Sequence, residues 1–297
     1  MLYKKAFCIM QWNIGIARGD ISTLIRQKKY NLQVKWLPVK DDETSVADPF
    51  VIKKNDGSII ILYEDFSMVD KARYGTLRQL QLDANFNIIA HSLLLDEKKH
   101  LSYPAIIREN GKTLVIPESR HLGNVFCYEY NVDTATFSNK RTLIENVRLL
   151  DPTFLKHGGK YWLFATIGDR QYEHSKLYIY YADSLEGPYT PHPQNPVKYS
   201  LRGARPAGNF IIVDNEIYRP AQNCKAFYGQ SLIINKILKL SETEFEEEEY
   251  MEIKPDNNSN FNKGIHTINV DGDIIVVDGI RLRFDPLKKL KLLFQKN

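Results

Sequence analysis

Five unlike polar residues occupy one recurring place in this sequence: Asp48, Tyr103, Asp151, Arg205 and His266. In four of the five, Pro follows directly, and an apolar run comes next. Glu64, Glu118, Thr166 and Arg219 lie 14 to 16 residues further on and suggest a second recurring place. Two carboxylates in different environments can divide the labour of glycosyl transfer. One protonates the leaving oxygen, and the other acts at the anomeric carbon as base or nucleophile. Clustered acids raise one another's pKa values, which favours keeping one of them protonated, and a nearby arginine has the opposite effect. Asp48, Glu64, Glu118 and Asp151 are therefore the candidate catalytic acids. Asp48 is read as base, Glu118 as acid and Asp151 as positioner or alternate.

The same places carry cations. Arg205, Arg219, His266 and Arg73 can meet a phosphate or a nucleotide-sugar diphosphate, because a guanidinium fork matches phosphate oxygens. Tyr103 can stack on a sugar face. Gln222 and Asn223, in the run Arg219 to Cys224, can donate to sugar hydroxyls. Each residue also has a plainer reading. Asp before Pro caps local backbone, the arginines can simply neutralise acids, and the amides can satisfy a loop. Trp162, in an apolar run, reads as core.

A repeated frame must position these groups. The stretches beginning at Ala47, Ser102, Leu150, Ala204 and Ile265 share it: polar residue, Pro or its substitute, apolar run, turn, apolar run. The turns are Asn55-Asp56-Gly57, Asn110-Gly111, Gly158-Gly159, Asp214-Asn215 and Asp271-Gly272, residue types that accept the positive φ of tight hairpins. The leading residues recur 48 to 61 positions apart. That is the length of about four strands with their turns, the size of a propeller blade. The expectation is an all-β fold, a five-bladed β-propeller spanning residues 1–297 as one unit. A strand from Ala6–Ile16 or Leu32–Leu37 would complete the last blade, since closure removes open sheet edges. In such a fold the first strand of each blade lines the axis, so the five unlike residues converge on one funnel. Only Ile21 to Lys29 suggests a short helix, and no dinucleotide or Walker-type glycine motif occurs.

Composition is compatible with this. The 297 residues are 43% hydrophobic and 26% charged, with a net charge of +4. That supports a large core and gives no sign of nucleic-acid binding. The lysine clusters at 28–29 and 288–291 read as solvated faces. No apolar stretch approaches the roughly 18 to 20 residues that span a bilayer. Cys8, Cys127 and Cys224 are far apart and form no CxxC pair, so reduced thiols in a cytoplasmic protein are expected, with no zinc and no cofactor.

Taken together, ADPF (Ala47–Phe50), YED (Tyr63–Asp65), HLSYPAII (His100–Ile107), IPES (Ile116–Ser119), LLDPTF (Leu149–Phe154), RPAGN (Arg205–Asn209), YRPAQNC (Tyr218–Cys224) and GIHTI (Gly264–Ile268) resemble one family. It is the propeller domain at the N-terminus of plant glucosamine inositolphosphorylceramide transferases. Similar domains occur in bacterial surface-polysaccharide proteins, some fused to sugar N-formyltransferase domains. That family is distantly similar to five-bladed glycosidases, mannoside phosphorylases and β-mannosyltransferases. The resemblance implies that Asp48 takes the place of the base in arabinan-type glycosidases and Asp151 that of the acid tuning the pair. The glycosidase acid has no counterpart, because the fourth copy opens with Arg205. The implied activity is making or breaking a glycosidic bond in surface-polysaccharide metabolism by transfer, phosphorolysis or hydrolysis, on a sugar or a phosphate- or nucleotide-linked sugar. Peripheral contact with a membrane-linked glycan and a partner transferase are implied too. The alternative is a non-catalytic glycan-binding propeller acting beside a separate enzyme, or a scaffold that uses its rim.

Overall fold

The computed structural model describes residues 7–38, 44–67, 74–169, 171–287 and 290. Arg73 and the lysines at 288, 289 and 291 lie outside them. The chain begins with β1 (Cys8–Arg18), helix α1 (Ile21–Gln27) and β2 (Lys35–Trp36). Asp20 caps the helix by accepting the N–H of Ser22 at 2.9 Å.

Four antiparallel sheets follow in chain order. Blade 1 is β3 (Thr44–Lys53), β4 (Ile59–Ser67), β5 (Gly75–Leu82) and β6 (Ile88–Leu95). Blade 2 is β7 (Ser102–Glu109), β8 (Lys112–Glu118), β9 (Val125–Asn131) and β10 (Thr136–Ile144). Blade 3 is β11 (Leu149–His157), β12 (Lys160–Ile167) and β13 (Lys176–Ala182), with short β14 (Thr190–Pro191) and β15 (Lys198–Tyr199) on its outer side. Blade 4 is β16 (Arg202–Pro206), β17 (Ile211–Val213), β18 (Glu216–Asn223), β19 (Ser231–Leu240) and β20 (Phe245–Ile253). The fifth sheet runs β21 (Ile268–Asp271), β22 (Ile274–Phe284), β1, β2, so its inner strands come from the end of the chain and its outer ones from the beginning. β1 pairs with β22 from Cys8 opposite Phe284 to Arg18 opposite Ile274. The architecture is a five-bladed β-propeller.

The residue pattern explains the blades. An inner strand has a neighbouring blade on each face, so it is apolar on both, as Ile59-Ile60-Ile61-Leu62 is, rather than alternating. The outermost strand β6 has most of one end exposed. Each pair of adjacent blades encloses its own apolar cluster. Ile14, Ile16, Val51 and Ile61 lie between blades 5 and 1; Ile60, Leu62 and Val115 between 1 and 2; Ile116, Leu149 and Leu163 between 2 and 3; Phe164, Ile179 and Ile217 between 3 and 4. Between blades 4 and 5, Leu232, Ile234, Ile268 and Val277 pack with Leu24 and Ile25 of α1. Trp162 and Tyr63 belong to these cores.

Each of the first four blades has a register break around its polar-Pro pair: Ala47/Phe50, Ser102/Ala105, Leu150/Thr153 and Arg202/Pro206. Pro cannot donate to the ladder, so the strand bulges there and re-aims the preceding side chain. Asp48, Tyr103 and Asp151 all sit at φ between 45° and 52°, a left-handed conformation uncommon for residues with a side chain. The same distortion in three blades is the device that turns these residues toward the axis.

Candidate active site at the propeller axis

Four of the five leading residues meet in two buried ion networks. In the first, His266 lies between two carboxylates: its Nε2 is 3.1 Å from Asp48 Oδ1 and its Nδ1 2.8 Å from Asp278 Oδ2. Thr267 Oγ1 donates to Asp48 Oδ1 at 2.8 Å. Asp278, fully buried, also accepts the backbone N–H groups of His266 (2.9 Å), Thr267 (3.0 Å) and Asp48 (3.2 Å). Burial alone would lower the His266 pKa, but Asp278 and Asp48 outweigh it and raise it to about 10. Burial likewise opposes ionised Asp48, yet His266, the Thr267 hydroxyl and Arg205 hold its carboxyl below the ordinary range. Asp48, His266 and Asp278 present donor atoms within 4.8 Å of one another, a spacing that would suit a cation if His266 gave up its proton. As an imidazolium, His266 supplies that positive charge itself.

In the second network Arg205 grips Asp151 with two bonds, Nε to Oδ2 at 2.6 Å and Nη2 to Oδ1 at 3.1 Å. Gln222 Nε2 donates to Asp151 Oδ2 at 2.9 Å and to the Pro206 carbonyl at 3.0 Å. Glu118 Oε2 accepts the Asp151 N–H at 3.3 Å and lies 3.8 Å from Arg205 Nη2. Burial raises the Asp151 carboxyl to about 7 despite Arg205, with Glu118 and Asp48 adding to the rise.

Glu64 is the more open acid, its side chain 13% exposed against 2% for Glu118. Burial, then the charges of Asp48 and Glu118, push its carboxyl well above the usual range. His100 stands 3.5 Å from Glu64 Oε1 through Nε2, while its Nδ1 accepts the Gly75 N–H at 2.9 Å. Burial first, then His121 and Arg120, lower His100 to about 4, so at neutral pH it is neutral with its one proton on Nε2. Aromatic groups border the first network. The Trp12 ring centroid is 4.0 Å from that of His266, and Tyr228 is 5.1 Å from His266 with the Arg205 guanidinium 5.1 Å from its centre. Trp12 and Tyr228 are both half-buried.

Several expected site residues are placed elsewhere. Tyr103 is fully buried; its hydroxyl meets Thr153 Oγ1 at 2.7 Å and accepts the Gly208 N–H at 2.6 Å, while its ring packs edge-on against Phe50. Fully enclosed, it offers no face to a sugar. Gly208 must be glycine here, since a Cβ would lie 1.9 Å from the Ile268 carbonyl oxygen. Arg219 is sealed inside blade 4, bonded to Glu247 and to the Gly203 and Ala204 carbonyls. Asn223 turns to Ser231 and Glu252. The position equivalent to Glu64 and Glu118 in blade 4 is Gln222: Ala47, Ser102 and Leu150 pair with Glu64, Glu118 and Thr166, and Ala204 falls opposite Gln222, between the pairs Arg202–Asn223 and Pro206–Ala221. Asp278, Trp12, Tyr228 and His100 join the site from outside the two recurring places of the repeat.

This fold and site define a five-bladed propeller with a cluster of buried charged side chains at its axis. The chain belongs to the family described as glucosamine inositolphosphorylceramide transferase 1, N-terminal, whose model matches residues 39–276. It is 29% identical over 206 residues to glucosamine inositolphosphorylceramide transferase 1 of Oryza sativa subsp. japonica, and 29% over 209 residues to that of Arabidopsis thaliana. These matches cover 68% and 69% of this chain but 27% of each relative, so the chain corresponds to about a quarter of their length. Its fold is similar to that of a GH43 β-1,3-galactosidase solved with galactodeoxynojirimycin (TM-score 0.57, 10% identity, 73% of this chain and 82% of that one). It is also similar to an α-L-arabinofuranosidase from Podospora anserina in complex with cellotriose (0.57, 11%, 80% and 81%) and a family 117 glycoside hydrolase from Zobellia galactanivorans (0.53, 13%, 95% and 92%).

Proposed function

We propose that the axial pocket binds a sugar and acts on its glycosidic bond, with Asp48 as base and Glu64 as acid. The observation that carries this reading is the opposite tuning of two carboxylates in blade 1: His266 and its neighbours hold Asp48 below the ordinary range, while burial and then the charges of Asp48 and Glu118 push Glu64 well above it. Glu64 Oε–H gives its proton to the leaving glycosidic oxygen as the C–O bond breaks. Asp48 takes the proton of the acceptor hydroxyl, whose oxygen forms the new bond to the anomeric carbon. Asp151 and Arg205 hold the pocket floor and set its charge. Trp12 and Tyr228 supply the stacking surface assigned above to Tyr103. Glu118, which the sequence favours as acid, is closed off behind Asp151 and Arg205, so Glu64 is the better donor. The relatives' name and the sugar complexes of similar folds agree with a carbohydrate ligand. The substrate class is a phosphate- or nucleotide-linked sugar of a surface glycan, and the reaction is transfer, phosphorolysis or hydrolysis.

Arg205 favours a second reading. It stands where a fourth-blade acid would serve a glycosidase, and the chain matches only a quarter of each transferase. A propeller that binds glycan beside a separate or attached transferase fits both facts. Turnover of a panel of nitrophenyl glycosides and sugar 1-phosphates separates the two. In the enzyme, Asp48→Asn and Glu64→Gln each lower turnover about a hundredfold or more while sugar affinity holds. In the binding module no panel member is turned over, and the two substitutions alter affinity alone. If neither variant changes affinity or turnover, the axial site is wrong.

A further inference from the structure

Beside the carboxylates lies an open cavity of about 620 Å³ bordered by Arg120, His121, Arg148, Gly168 and Glu173. It adjoins the axial pocket through two contacts. Arg120 Nε is 3.3 Å from Glu118 Oε1, and the His121 ring is 5.6 Å from that of His100, the neighbour of Glu64. Arg120 is braced by Glu173 Oε2 at 3.0 Å. Its Nε is buried and lacks a hydrogen-bond partner among the described residues, because Glu118 is close but not aligned. Arg148 and Lys99 make no ion pair among the described residues, and both, with Arg120, act electrostatically on His121. Gly168 adds no side chain to the space: a Cβ there would meet the Arg148 carbonyl oxygen at 3.3 Å and Arg120 Cδ at 3.5 Å. Two guanidinium groups, Arg120 and Arg148, border this space with the single carboxylate of Glu173, which leaves an excess of positive charge beside the acids.

The cations nearer the axis are spent. Arg205 forks onto Asp151, His266 is shared by two carboxylates and Arg219 is sealed on Glu247. An anionic group entering the funnel finds its available donors at Arg120, His121 and Arg148.

We propose that this cavity seats a phosphate group, carried either by the sugar's anomeric oxygen or as free inorganic phosphate, with Arg148 and Arg120 as its principal donors. The inference rests on the glycosidic-bond reading for what the phosphate does, since His100, which contacts the His121 ring, also neighbours Glu64. The binding site itself rests on the charges.

The test is titration of inorganic phosphate, of a hexose 1-phosphate and of the same hexose unphosphorylated into the full chain, followed by calorimetry and ³¹P NMR. Arg148 is exposed and outside the core, so Arg148→Ala and Arg148→Glu should fold. Arg148→Ala is expected to weaken both phosphates about tenfold or more and Arg148→Glu to abolish them, with the neutral hexose unaffected. Arg26→Ala, on the distant helix and paired with Asp214, should change nothing. Tighter binding of the ester than of inorganic phosphate supports a donor phosphate, and equal binding supports a free one. The subsite is overturned if wild type binds neither phosphate better than Arg148→Glu does, or if Arg26→Ala weakens them equally. Phosphate binding that depends on Arg148 in a chain with no sugar affinity or turnover would keep the subsite and remove the glycosidic reading. Turnover of a sugar in a chain that binds neither phosphate better than Arg148→Glu does would do the reverse.

Discussion

The carboxylate of Asp278 accepts the backbone N–H of Asp48 at 3.2 Å across 230 residues of chain, tying the last blade to the first at the axis. Glu118 makes the same bond to the N–H of Asp151, from blade 2 to blade 3. In both cases an acid on one blade's second strand receives the N–H of a left-handed residue on the next blade's first strand. The bulge that aims Asp48 and Asp151 inward leaves their N–H groups without a ladder partner, and the neighbouring blade's acid supplies one. Closure of the fold and positioning of the candidate base are therefore one interaction.

Asp278 should accordingly be among the most sensitive positions in the molecule. Asp278→Ala strands three buried N–H groups and the His266 imidazolium. Unfolding in urea should show a loss of about 3–5 kcal/mol. Asp278→Asn, which keeps one acceptor oxygen, should lose less. Equal midpoints for wild type and Asp278→Ala would show that the network carries no stability.

The pH dependence of folding has a defined sign. His266 titrates near 10 when folded and near 6.5 when unfolded, so its contribution is complete below about 6.5 and lost as pH rises toward 10. Asp48 is depressed, so its contribution is present above the unfolded carboxyl range and lost on acidification through its folded value. Asp151 runs the other way: raised to about 7, it lets the unfolded chain ionise first, and stability falls between about 4 and 7. Each limb has a slope of at most about 1.4 kcal/mol per pH unit. His266→Gln should lower stability at neutral pH yet reduce the alkaline slope, and Asp151→Asn should reduce the fall between 4 and 7, the remainder belonging to Glu64, whose carboxyl is also raised. Urea midpoints measured from pH 4 to 10 decide it, and an unchanged slope in either variant contradicts the assignment.

Tyr103 separates a structural from a ligand-binding role. Tyr103→Phe keeps the ring against Phe50 but leaves the Gly208 N–H unpaired in a buried place. The expected loss is about 1–3 kcal/mol, with sugar affinity unchanged. A large fall in affinity at unaltered stability would return Tyr103 to the sugar face.

The sequence made the blades readable because each repeats one bulged hairpin, and the bulge is written as a polar residue before Pro. The leading residues were found for that reason. Tyr103 has the same backbone conformation as Asp48 and Asp151, but its longer side chain crosses the axis to Thr153 and Gly208 instead of lining the pocket. Counting 14 residues from Arg205 reached Arg219, because the loop between β16 and β17 lengthens that hairpin and moves the equivalent place to Gln222. Asp278 is hard to place from the repeat because the fifth copy lacks Pro and its hairpin is shorter, although a lone acid after the apolar run Ile274–Val277 is a usable signal. Trp12, Tyr228, Arg120 and Arg148 lie outside the repeated frame, so only the closed ring brings them to the site.

The alkaline limb of activity should belong to Glu64. As the acid, it must carry its proton, so turnover falls as pH rises past its elevated pKa, and Glu64→Gln should leave a residual rate without that limb. His100 acts on it as a positioning residue. Its Nε2 lies 3.5 Å from Glu64 Oε1, and a proton carried there would favour the charged form of the acid. His100→Phe preserves a ring and removes that donor, so the Glu64 pKa rises and the alkaline limb moves to higher pH, while KM changes little. A pH–rate series on wild type, Glu64→Gln and His100→Phe checks both claims. An alkaline limb that persists in Glu64→Gln would move the acid role to another carboxylate, and a limb unmoved in His100→Phe would reduce His100 to packing.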